Sequence, residues 1–288
     1  MNDYISFDFI NQCREILSIE DFIEMSENRL KSQIKSIVSE AINNNVKLIR
    51  LAGPSGSGKT TSSKLIVKAI KDRGIPAYYM SMDNWYKTIS VEDLPLNEDG
   101  DPDYESPELI DIDGFKTDMH NLLNGQEITL REFDFTNRIS NLSDKKIKCE
   151  NGGIVLIEGI HAINPMFDIE DETLKVYVEP NNVKMNNNEL LTSSNIRLCR
   201  RMHRDIAERG MSFEDTIKKC RSVDKGQDKY IEPYTNNPTI LKVDTLMFYE
   251  LFIHKNELPD VEYLKEIPHT DIHKDLIPQN SLLREFYK

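Results

Sequence analysis

Eight consecutive residues, Gly53-Pro54-Ser55-Gly56-Ser57-Gly58-Lys59-Thr60, satisfy the spacing GxxxxGK[ST] in full. Each fixed position has a chemical reason. Glycines let backbone N–H groups turn inward around a phosphate without Cβ clashes. Lys59 is long enough to reach the β- and γ-phosphates of a nucleotide, and the Thr60 hydroxyl can ligate Mg²⁺. Thr61 continues into a helix whose positive end faces the anion. The segment from Gly53 to Thr61 therefore reads as a site for a nucleoside triphosphate, ATP with Mg²⁺.

Two carboxylates and one basic run could work beside that loop. Glu158 closes the apolar run Ile154-Val155-Leu156-Ile157. At the C-terminal end of a sheet strand it would lie in the crevice where ligands bind, and could hold the metal directly or through water. The alternative is a surface glutamate at a strand end. Asp83 falls just past the run Ala77–Met82 and could accept the proton of an attacking hydroxyl, or simply cap the next turn. In RLCRRMHRD, Arg197, Arg200, Arg201 and Arg204 stand at i, i+3, i+4 and i+7. On a helix they share an arc of about 100°, with Leu198, Met202 and Ile206 nearly opposite as the anchoring face. The stripe is either a solvated face balanced by Asp205 and Glu208 or a device for gripping phosphate, for which guanidinium geometry is suited.

The surrounding pattern supplies elements to position these groups. Val46–Ala52 is a short apolar run, as expected of a buried parallel strand. A helix follows from about Thr60 to Arg73, then a second strand at 77–82, which makes a βαβ unit. Residues 84–106 form a long polar loop. Ser106-Pro107-Glu108 reads as a helix start. Short strands are expected at about 127–135 and 145–149, and further ones at 154–157, 174–178 and 239–243. Ser193-Ser194-Asn195 and Gly210 read as the cap and terminator of the arginine helix. The fold class is α/β, a mainly parallel sheet flanked by helices. Before it, residues 1–45 read as a helical segment packed on the core. Residues 46–288 read as one domain with a lid at about 193–222.

With 288 residues the chain can bury a real core. A net charge of −13 argues against a general nucleic-acid binder, though not against a local basic pocket. Cys13, Cys149, Cys199 and Cys220 are scattered with no CxxC pair, which fits a reducing compartment. The N-terminus lacks the pattern of a signal peptide. No apolar run approaches the roughly 18 residues of a membrane span. A cytoplasmic protein with no membrane contact is expected.

The ordered segments GPSGSGKT, SMDNWYK, PDYES, FDFTNR, IEGIHAINP, RLCRRMHRDIAERG and YIEPY resemble the uridine kinase and nucleoside kinase family, with phosphoribulokinase a more distant relative. The resemblance runs from about Val46 to the closing NSLLREF. It implies a P-loop kinase fold with an arginine-rich helical lid. It implies that Asp83 takes the proton from a nucleoside 5′-hydroxyl, that Tyr86 lines the acceptor site and that Asp103 binds the ribose hydroxyls. Phe133 stands where uridine kinases usually have Tyr, and Arg138 near a position where they often have His. The chemistry carries over by resemblance, whereas the reading of a pyrimidine edge does not. Arg197, Arg200 and Arg201 are the expected stabilisers of the transferring phosphoryl group, with Arg197 also on the acceptor side and Arg204 next to ATP. His161 reads as structural. GQDKYIEPY borders the acceptor or adenine site. Relatives of this kind are often homo-oligomers.

The expected activity is Mg²⁺- and ATP-dependent phosphorylation of a nucleoside, uridine- or cytidine-like. The rivals are a kinase for another alcohol, a phosphorylated sugar or a pantothenate-like compound, and an ATP-sensing regulator without turnover.

Overall fold

A computed structural model describes residues 4–169, 173–258 and 261–287. It opens with strand β1 (Tyr4–Ser6) and helices α1 (Phe7–Ile16) and α2 (Ile19–Asn43), then β2 (Leu48–Ala52), α3 (Lys59–Lys71) and β3 (Ala77–Ser81). Next come α4 (Ile112–Leu123), the hairpin β4 (Glu127–Asp134) and β5 (Ile139–Lys148), β6 (Ile154–Glu158) and β7 (Thr173–Glu179). The short strands β8 (Asn182–Lys184) and β9 (Leu190–Leu191) precede helices α5 (Ser193–Arg209), α6 (Phe213–Tyr230) and α7 (Glu232–Thr235). Strand β10 (Leu241–Asp244) and helix α8 (Glu250–Glu257) close the set.

Among the described residues the main sheet has five strands in the order β10-β7-β2-β6-β3, all parallel. Every residue of β2 and β6 is buried, as two helix-covered faces require. Even Arg50 in β2 is buried, donating to the Ala162 and Asn164 carbonyls at 2.5 and 2.9 Å and pairing with Asp168. It staples the central strand to the loop after β6. The register sets Leu51 and Ser81 beside Glu158. The phosphate loop, Glu158 and Asp83 therefore emerge at one edge.

Several expected boundaries move. Ser106 caps only a 3-10 turn, Pro107–Leu109, and α4 starts at Ile112 with the Asp111 carboxylate accepting from the Gly114 N–H. Thr192, not Ser193, caps α5, in a reciprocal box with Asn195. Gly210, in the left-handed region at φ 60°, ends it as expected. The N-terminal segment also contributes a strand, because β1 pairs in parallel with β8.

That segment shares the core of the sheet's helical layer. Phe7 and Phe22 pack on Phe252 of α8. Ser26 accepts from the Phe248 N–H at 2.8 Å, and the Tyr249 hydroxyl donates to Glu27 at 2.6 Å. Gln33 both donates to and accepts from the Asp244 backbone at 2.9 and 2.8 Å.

The arginine helix is held by a buried ion pair. Arg200 and Glu250 are both fully buried and meet through two bonds of 2.7 Å. Burial alone would raise the Glu250 pKa, but the Arg200 guanidinium brings it down to about 2. Arg200 also donates to the Thr245 carbonyl at 2.7 Å and the Gly56 carbonyl at 3.1 Å. Arg200→Ala leaves Glu250 buried without its partner. It is expected to cost about 3–5 kcal/mol of stability, read by chemical denaturation.

Candidate active site

The phosphate loop is shaped by what surrounds it. A Cβ on Gly53 would lie 2.3 Å from the Val178 carbonyl oxygen, so β7 leaves room only for glycine. Gly56 and Gly58 take φ of 82° and 87°, values that L side chains disfavour. Four carbonyls in a row are engaged by side chains, three of them from outside the loop. Lys59 donates to Pro54 at 3.1 Å, Arg197 to Ser55 at 3.2 Å, Arg200 to Gly56 at 3.1 Å and Thr245 to Ser57 at 2.8 Å. Helix α5 thus braces the loop directly, through two arginines whose charge lies beside it.

The four arginines separate into distinct positions. Arg197, Arg200 and Arg201 are 2%, 0% and 5% exposed, which rules out a solvated face. The expected anchoring face is wrong in part: Ile206 is 45% exposed, while Ile196, Cys199 and Met202 are buried. Arg197 is bound to Gln227 at 2.6 Å and Asp224 at 3.3 Å, as well as to Ser55. Arg200 is committed to Glu250, Thr245 and Gly56. Arg204 bonds to the neighbouring Asp205 at 2.9 Å. Arg201 alone of the four has buried Nε and Nη1 without a hydrogen-bond partner among the described residues. It packs on the loop, with its Cγ 3.4 Å from where a Gly56 Cβ would lie.

Glu158 is buried and accepts from the Thr60 hydroxyl at 3.3 Å and from the Tyr79 hydroxyl at 3.0 Å. A hydroxyl and a carboxylate side by side under the phosphate loop are the oxygen donors that Mg²⁺ takes alongside nucleotide phosphates. No cluster of three or more His, Cys, Asp or Glu suited to a metal occurs among the described residues. Thr60 and Glu158 could hold such an ion if a bound nucleotide's oxygens completed its ligands. Tyr79 was not singled out from sequence, because a tyrosine in a buried strand reads as core.

Asp83 does not cap the turn after β3. Ser81 does, accepting from the Asp83 N–H at 3.3 Å. The Asp83 carboxyl is pushed up to about 7 by burial and by the charge of Glu158, with Lys59 pulling it down and Glu105 adding to the rise. A carboxylate titrating near neutrality suits proton transfer at physiological pH. Glu105 is a second unflagged acid. Burial raises its pKa, while Lys59 and Arg201 oppose the rise.

Beyond Asp83 lies an aromatic corner. Tyr86, Phe133 and Phe135 meet pairwise with ring centroids 5.0–6.0 Å apart. Arg138, at φ 57°, stacks its guanidinium 5.4 Å from the Tyr104 ring, and its buried Nε has no partner among the described residues. Asp103, expected on the ribose hydroxyls, lies in the loop facing α6. Its carboxylate accepts from the Tyr230 hydroxyl at 2.7 Å and lies 3.5 Å from Lys229, so it ties the loop to α6. Gly226 permits this approach, since a Cβ there would meet the Glu105 Cβ at 2.5 Å. His161, soon after Glu158 in the chain, is bonded to the Glu105 carbonyl at 2.9 Å, and burial lowers its pKa to about 4. No helix among the described residues is long and apolar enough to cross a membrane.

Comparison with known proteins agrees with this geometry. The family model described as phosphoribulokinase / uridine kinase matches residues 48–244. The uridine kinase of Halobacterium salinarum is 28% identical over 67% of this chain and 78% of its own. That of Halalkalibacterium halodurans is 33% identical over 65% of this chain and 80% of its own. A candidate fructose transport system kinase from Silicibacter sp. TM1040 superposes with a TM-score of 0.54 at 18% identity, covering 72% of this chain and 98% of that one. At that identity it speaks to the fold alone. A matched span that includes the phosphate loop, Asp83, Glu158 and the arginine helix places this chain in the phosphoribulokinase / uridine kinase family.

Proposed function

We propose that the protein transfers the γ-phosphate of ATP to the 5′-hydroxyl of a nucleoside. The observation that carries the reading is one edge of one sheet. There a phosphate loop, a near-neutral carboxyl at Asp83 and the unpartnered guanidinium nitrogens of Arg201 converge. The relatives named as uridine kinases support a nucleoside as acceptor.

In this reading the acceptor oxygen attacks the γ-phosphorus in line. The bond from that phosphorus to the β,γ-bridging oxygen breaks, and ADP leaves. The hydroxyl proton passes to the Asp83 carboxylate. Lys59 leaves the Pro54 carbonyl for the nucleotide's phosphates, and Arg201 with Arg197 stabilises the transferring group. Thr60 and Glu158, together with ATP, would hold Mg²⁺, which would supply charge neutralisation. Arg200 and Asp103 act as positioning residues, for the loop and for the contact between the acceptor loop and α6. Tyr86, Phe133 and Phe135 offer a planar acceptor ring a surface to pack on.

Arg138 favours a second reading. An unpartnered guanidinium nitrogen beside the acceptor corner suits an anionic alcohol, such as a phosphorylated sugar.

With Mg-ATP, ADP release is expected to depend on added nucleoside. No dependence across nucleosides, phosphorylated sugars and pantothenate would refute the kinase reading. Asp83→Asn should lower kcat about 100-fold or more while ATP still binds, and undiminished turnover removes Asp83 from the base role. Arg201→Ala should lower kcat by a similar factor, about 100-fold, with little change in thermal stability. In nucleotide-free protein the Asp83 carboxyl should titrate near 7 by NMR, and Glu158→Gln should lower that value by removing the neighbouring charge. Since only the carboxylate accepts a proton, activity should be lost as pH falls through the Asp83 pKa.

A further inference from the structure

The C-terminal tail packs against the end of the phosphate loop and the elements that hold it. Leu282 lies against Gly58 so closely that a Cβ there would meet a Leu282 methyl at 2.5 Å. The Phe286 ring lies 5.4 Å from the Arg200 guanidinium. Ser281 shares a hydrogen bond of 2.9 Å with Tyr249. Leu282, Leu283 and Phe286 are buried, so the tail is anchored by its apolar residues. From this anchored turn Glu285 extends one carboxylate oxygen to Thr61. That oxygen accepts from the Thr61 N–H at 3.2 Å and from its hydroxyl at 2.8 Å.

Thr61 is the third residue of α3, so its N–H belongs to the first helical turn, where amides have no partner within the helix. Such donors attract anions, and here a side chain of the protein itself supplies one. A nucleotide seated in Gly53–Thr60 runs its phosphates along this same helix end. Carboxylate and phosphate then compete for the same donors, and their like charges repel. Glu285 is only partly buried, so its side chain can swing away while Leu282 and Phe286 stay in place.

We propose that Glu285 sets the affinity of the nucleotide site by holding the Thr61 donors until a nucleotide phosphate displaces it. The proposal rests on the reading of Gly53–Thr61 as that site. Its consequence is weaker binding than the bare loop would give.

The test is calorimetric titration of the full chain with Mg-ADP at low salt, for wild type, Glu285→Gln and Glu285→Ala. The Gln variant keeps the size and an acceptor oxygen, so it retains the tail's packing. Both variants should bind roughly two- to fivefold more tightly, the range expected for removing one charge at a helix N-terminus. Unchanged or weaker binding in both overturns the proposal. A crystal structure of the wild type with Mg-ADP gives a second readout. Glu285 turned away from Thr61 supports the proposal, and Glu285 still bonded to the Thr61 N–H beside a seated nucleotide overturns it. A wild type that binds no Mg-ADP at all instead removes the nucleotide reading on which the proposal stands.

Discussion

The contact between helix α5 and the carbonyls of the phosphate loop governs much of the rest of the structure. A loop that presents amides to an anion must turn its carbonyls elsewhere, and those oxygens then need donors. Arg197 and Arg200 supply two, and Thr245 after β10 supplies a third. Arg200 can be buried for this purpose only because Glu250 is buried beside it. Glu250 opens α8, and the residues just before it, Phe248 and Tyr249, are bonded to Ser26 and Glu27 of α2. The N-terminal helices, the last strand and the C-terminal helix are thus linked, bond by bond, to the shape of eight residues.

The charge distribution follows the same logic. A chain with a net charge of −13 concentrates cations where polyphosphate would lie. Lys59 and Arg201 sit among Asp83, Glu105 and Glu158, and the charges of Glu158 and Glu105 raise the Asp83 pKa while Lys59 lowers it. Burial, with the charges of Glu158 and Glu105, holds the Asp83 carboxyl near neutrality, the range that suits a base. The cations keep that acidic edge hospitable to phosphate. Neither set would serve phosphoryl transfer alone.

Much of this was legible from residue types and spacing. The phosphate loop, its flanking strand and helix, Glu158 and Asp83 obey local rules, and a parallel sheet brings its strand ends to one edge. What was not legible depended on contacts between distant segments. The i, i+3, i+4, i+7 spacing showed that four arginines share a face, but not that three would be buried. Nor could it show that Arg200 would be spent on Glu250, fifty positions away. Arg50 in an apolar strand, Tyr79 on Glu158 and Glu285 on Thr61 are likewise long-range pairings that no local pattern announces. The cap of α5 was missed by one residue because Thr192 and Ser193 are both good caps, and the reciprocal bond with Asn195 decides between them.

The central claim is that this edge moves a phosphoryl group to an alcohol rather than to water. A single-turnover experiment tests it most directly, with excess enzyme, ATP labelled in the γ-phosphate, and a nucleoside acceptor. The account predicts that the label appears as an acid-stable phosphate ester of the acceptor, with little inorganic phosphate. Label recovered only as inorganic phosphate, with the nucleoside and with every other alcohol offered, would contradict it.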